Sequence, residues 1–129
     1  MRTSFIEHEG RKIVFMDFSN CKTIDEALAA IEEARQFVAK QPKVQNLLTL
    51  VDTQNSRFDS RVIDALKKLA AHDRPWVLAG AVVGMSAVQR TVYRLVNTIT
   101  RRNLSAFDTL DEAKAWLVGQ RAPEAAARP

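Results

Sequence analysis

Apolar and polar positions change their period several times along this chain, and each change marks an element. Phe5-Ile6-Glu7-His8 and Ile13-Val14-Phe15-Met16-Asp17-Phe18 flank Glu9-Gly10-Arg11, which predicts an opening β-hairpin. From Ile24 the period turns helical. Ile24, Leu28, Ile31 and Val38 form the expected inner stripe, Glu32, Glu33, Arg35 and Lys40 the wet side, and Pro42 closes the helix. Leu47-Leu48-Thr49-Leu50-Val51 is a continuous apolar run, as in a strand buried on both faces. A loop from Asp52 to Asp59 leads to a second helix, with Val62, Leu66 and Leu69 inward and Lys67 and Lys68 outward. After a break at Arg74-Pro75, Trp76 to Val83 reads as another buried strand, its Gly80 suited to close approach by a covering helix. The third helix gathers Val88, Val92, Leu95, Val96 and Ile99 on one stripe, expected to face the sheet. Leu104-Ser105-Ala106-Phe107 is a short last strand, and a final helix ends near Gly119 with Trp116 and Leu117 inward.

Three of the helix starts carry capping boxes: Thr23 with Glu26, Ser86 with Gln89, and Thr109 with Glu112. The order β-β-α-β-α-β-α-β-α predicts an α/β fold. Its sheet is mostly parallel with an antiparallel edge hairpin, crossovers are right-handed, and helices lie on the sheet faces. With 129 residues, one domain over 1–119 suffices. Residues 120–129 show no periodicity and are expected to be a disordered tail. An uncovered hairpin edge invites pairing, so a homodimer through it is one expectation.

Composition sets the class. Hydrophobic content of 47% and charged content of 26% are globular values. No apolar run approaches the roughly 18 residues of a membrane span, and Glu7 and Glu9 stand where a signal peptide needs apolar residues. The lone Cys21 excludes an internal disulfide, which fits a reducing, cytoplasmic setting. Charge changes the picture more. The net charge is +4, yet acids and bases balance along the first 73 residues. From Arg74 to Phe107 stand Arg74, Arg90, Arg94, Arg101 and Arg102 without one acid, an imbalance that favours an anionic partner.

The motifs that could carry chemistry are each incomplete. Gly84-Met85-Ser86-Ala87-Val88 sits at a strand–turn–helix junction but lacks the second glycine of a nucleophile elbow, and both His8 and His72 precede Ser86. One cysteine and two distant histidines provide no metal-ligand spacing. Gly80 and Gly84 make no phosphate-binding loop. Asp17, Asp52 and Asp108 each follow a strand; a Mg²⁺ cluster is one reading and turn capping the preferred one. The sequence therefore calls for no cofactor, no metal and no catalytic residue. On the third helix Arg90, Arg94, Asn97 and Arg101 are expected along one outer face, with no acid in the helix to pair Arg90 or Arg94.

Val14-Phe15-Met16-Asp17-Phe18-Ser19, Leu50-Val51-Asp52, Arg57-Phe58-Asp59-Ser60, Ala81-Val82-Val83-Gly84, Ala106-Phe107-Asp108-Thr109, Glu112-Ala113 and Trp116-Leu117 carry a family resemblance. On these blocks the stretch from Ile13 to Leu117 resembles the STAS-like superfamily of sulfate transporters and anti-sigma-factor antagonists. More narrowly, it resembles the STAS/SEC14-like branch of small standalone bacterial proteins. The resemblance implies a domain that docks to other proteins rather than one that catalyses. In the antagonists a kinase acts on the second serine of Asp-Ser-Ser-Gly; here the matching piece is Asp59-Ser60-Arg61-Val62, with Arg61 at the acceptor position and no glycine. Ser60 is the phosphoacceptor candidate on a one-residue shift, and capping by Asp59 or Ser60 is the simpler reading.

Two functions follow as expectations. The first is a non-catalytic regulatory domain that docks an unidentified protein through the Asp52–Arg61 loop and the 84–94 segment, with Ser56, Arg57, Asp59 and Ser60 as candidates. The alternative is a binder of an anionic small molecule or lipid headgroup, contacted by Arg90, Arg94 and Arg101. Nucleic acid ranks below both, since no reading helix or aromatic platform accompanies the arginines.

Overall fold

The computed structural model describes residues 1–56, 58–100 and 103–121, without the side chains of Val92, Val96 and 98–100. Strand β1 (Thr3–His8) turns into β2 (Arg11–Asp17) through Glu9 and Gly10, both at positive φ (49° and 80°), the geometry a two-residue hairpin needs. Then follow α1 (Ile24–Ala39), β3 (Leu47–Asp52), α2 (Ser60–Asp73), β4 (Val77–Val83), α3 (Ala87–Thr100), β5 (Leu104–Phe107) and α4 (Leu110–Val118). This is the α/β order that the sequence predicts.

The five strands lie in the order β1-β2-β3-β4-β5, antiparallel only between β1 and β2. A parallel sheet that grows in one direction by right-handed crossovers keeps its connecting helices on one face. The two cores obey this rule. Val14, Met16 and Val77 pack under α1 and α2 on one face, while Ile13, Leu48, Leu50, Ala79 and Ala81 pack under α4 on the other. Strands β2 to β4 are thus covered on both sides, as their unbroken apolar runs require.

Local signals hold at the helix starts. The Glu26 amide donates to Thr23 Oγ1 (3.1 Å), the Glu112 amide to Thr109 Oγ1 (3.2 Å), and the amides of Arg61 and Val62 to Asp59 Oδ1 (2.9 and 3.1 Å). The face that α1 buries is smaller-grained than expected. Ala27, Ala30, Ile31, Ala34 and Val38 are buried, while Ile24 and Leu28 pack at the margin, because small residues let the helix lie close to the sheet. At the other end of the chain, Gln120, counted with the expected tail, is hydrogen-bonded to the body of the fold. The Gln120 amide donates to the Leu117 carbonyl (3.0 Å), and its side chain accepts from Asn103 Nδ2 (2.9 Å). The rest of that expectation, 122–129, lies outside the described residues.

The larger correction concerns α3. Of the apolar stripe expected on the sheet, Val88 is 76% and Leu95 57% exposed, while the side chains of Val92, Val96 and Ile99 lie outside the described residues. Polar tethers set the rotation of the helix. Asn97 Oδ1 accepts the Leu104 amide (3.1 Å), and Arg90 reaches Asp108 Oδ1 (2.6 Å), so the Arg90–Asn97 side is turned towards β5 and its following loop. A buried strand N–H has to be satisfied, and that requirement prevails over the periodicity of the stripe.

Candidate functional site

Parallel strands place all their following loops at one end of the sheet, and the candidate residues gather there. Backbone hydrogen bonds join these loops sideways. The Phe18 amide donates to the Asp52 carbonyl (2.8 Å), the Asn20 amide to the Gln54 carbonyl (2.9 Å), and the Thr53 amide to the Val83 carbonyl (2.8 Å). Thr53 Oγ1 donates to the same Val83 carbonyl (2.8 Å). Asn20 and Asn55 adopt positive φ (55° and 57°), a conformation that asparagine tolerates better than most residues. Gly84 is more demanding. At φ 94° it lies so close to the next loop that a Cβ would stand 2.6 Å from the Gln54 nitrogen. The Asp52–Arg61 loop and the 84–94 segment are therefore one continuous surface.

Within it each candidate has a definite place. Ser56 Oγ donates to the Phe18 carbonyl and accepts the Cys21 amide (3.0 Å), tying this loop to the one before α1. The Asp59 carboxylate caps α2 and pairs with the Arg61 guanidinium (2.9 Å). Desolvation pushes that carboxyl up, but the Val62 amide and the Arg61 side chain and amide outweigh it and hold it below its ordinary value. Ser60 is exposed on the first turn of α2. Arg57 lies outside the described residues.

The arginines do not form the outer row that their spacing predicts. Arg90 is only partly exposed and is paired with Asp108, and Asn97 is turned to β5. Arg94 is exposed, and Arg101 lies outside the described residues. Arg90, which has no acid in its own helix, finds its partner in the loop after β5, eighteen residues on. Ser86 and Gln89 form the full reciprocal box, with the Gln89 amide on Ser86 Oγ (3.2 Å) and the Ser86 amide on Gln89 Oε1 (2.8 Å). Asp17 and Asp52 each hold their own turn, on the amides of Ser19 and Gln54 (both 3.0 Å). Among the described residues, no cluster of three His, Cys, Asp or Glu side chains could hold a metal ion, and no helix is long and apolar enough to cross a membrane.

Below this surface lies a feature that the sequence did not indicate. A partly open cavity of about 100 Å³ separates α2 from α3 over the sheet. Val51 and Val82 form its floor, Phe58 and Leu66 one wall, and Met85 and Tyr93 the other. Phe58 and Met85 belong to the two surface segments, so the roof of the cavity is also the underside of the candidate site. Periodicity could not have indicated it, because the cavity follows from the rotation of α3.

No protein-family model matches the chain, and no curated protein matches it. Among solved structures, it is similar to the crystal structure of an uncharacterized protein of the DUF3478 family with a SpoIIAA-like fold, from Shewanella loihica PV-4. The TM-score is 0.69 over 89% of this chain and 91% of that one, at 14% sequence identity. The fold is SpoIIAA-like. That is the STAS-like, anti-sigma-factor-antagonist fold which the sequence blocks resemble. At this identity the likeness carries the SpoIIAA-like architecture and no assignment of site residues.

Proposed function

We propose that the chain is a cytoplasmic, non-catalytic docking domain, which binds a protein partner through the joined Asp52–Arg61 and 84–94 segments. The observation that carries this reading is Val88. It stands 76% exposed on the first turn of α3, beside a loop surface stitched together by backbone hydrogen bonds. An apolar side chain on a preorganised surface is an economical anchor for a partner, because little order has to be imposed on binding. Ser60, exposed close by at the start of α2, is where a phosphate would change the charge of that surface. The SpoIIAA-like fold supports the reading in outline only.

A photoreactive residue at position 88 tests it, beside one at Glu9 in the β1–β2 turn at the opposite end of the sheet. In cell extract, the residue at 88 is expected to give one discrete protein adduct that excess unlabelled chain competes away, and the residue at 9 none. The same adducts from both positions, or adducts that the unlabelled chain does not compete, would refute docking at this end.

A further inference from the structure

The cavity between α2 and α3 has the properties of a ligand site rather than of a packing defect. Its lining is apolar on three sides, from Val51 and Val82 below to Phe58, Leu66, Met85 and Tyr93 around. Its volume of about 100 Å³ suits a short chain or a single ring, and is too small for the whole of a long acyl chain. One cation stands on its lining, Lys67 of α2, exposed and without an ion-pair partner among the described residues. The neighbouring Lys68 is paired with Asp64 (3.2 Å). At the other end of α2, Asp73 also lines the cavity but is buried and engaged by His72 Nδ1 (2.8 Å).

The geometry points to a site for a small apolar carboxylate, its hydrocarbon part between α2 and α3 and its charged end at Lys67. Apolar walls supply the affinity, and the ammonium at the rim selects the anion and fixes which end enters first. Arg90 takes no part in it, being paired with Asp108. The site is independent of whether a protein docks above it, although ligand would contact both Phe58 and Met85 and so hold the two docking segments together.

Hexanoate and hexanol share a hydrocarbon chain and differ in charge, which makes them the probes. Methyl NMR of the full chain is expected to show saturable shifts at Val51, Leu66 and Met85 with hexanoate, with a Kd on the order of 0.1–1 mM for so few atoms. Lys67→Glu, on the surface and harmless to folding, weakens hexanoate about tenfold or more by reversing the rim charge and leaves hexanol unchanged. Leu66→Phe, which places a ring in the space, reduces binding of both. No saturable shift at these methyls would overturn the site, and equal hexanoate binding by the Lys67→Glu protein would overturn the role of the carboxylate.

Discussion

Ser56 offers a hydroxyl in a loop suited to docking, and the fold uses that hydroxyl internally. It bridges the Phe18 carbonyl and the Cys21 amide, groups 38 and 35 residues away. Ser56→Ala would leave both without their partner, and about 1–3 kcal/mol of stability should be lost in urea unfolding. A loss below about 0.5 kcal/mol would mean that water replaces the hydroxyl. The contrast with Asp59, Thr23 and Thr109 shows what a sequence can reveal at this scale. Their caps lie within three residues and were legible, whereas the Ser56 and Arg90 partners depend on the fold closing. Exposed charge behaves locally too. The Arg35 guanidinium, with the Gln36 amide beside it, holds the Glu32 carboxyl down to about 2 from 4.5. A depressed carboxylate contributes stability that is whole above its unfolded value and is lost as pH falls through the folded one. The stability difference between the native chain and Glu32→Gln should therefore persist at pH 6 and close as pH falls from about 4.5 to about 2. A gap unchanged down to pH 2 would remove the ion pair as its cause.

Element boundaries follow from period and punctuation, and the four helices and five strands begin and end close to where the pattern predicts. The rotation of a helix is another matter. For α4 the apolar stripe is also the buried side, and for α1 the same side is buried, though through Ala27, Ala30 and Ala34 as much as through Ile31 and Val38. For α3 the anchors are polar, Asn97 on the Leu104 amide and Arg90 on Asp108, and a stripe drawn from Val88 and Leu95 points the wrong way. Gly84 is the element-scale test of the joined loops. Gly84→Ala imposes a positive φ on alanine and drives its Cβ into the Gln54 backbone, so a cost of about 3 kcal/mol or more is expected. Denaturant titration measures it. A cost below about 1 kcal/mol would mean that the two loops can separate freely.

At the scale of the molecule, a sheet built strictly in sequence order accounts for the arrangement of everything else. It keeps α1, α2 and α3 on one face with α4 alone on the other, and it brings the loops that open α2 and α3 together at one end. Alternating strands and helices made the parallel sheet legible. The strand order, and with it the shared face and the cavity, became visible only in three dimensions. In this arrangement α3 turns Val88 and Leu95 to solvent, leaving an apolar surface beside the Asp52–Arg61 loop. Thiol labelling of Val88→Cys, Leu95→Cys and Val82→Cys tests this most directly, since the native Cys21 is buried and Val82 is a buried reference. Positions 88 and 95 are expected to react at the rate of a short peptide thiol while position 82 is protected. Protection of 88 and 95 to the same degree as 82 would place both side chains against the sheet and leave no apolar surface there.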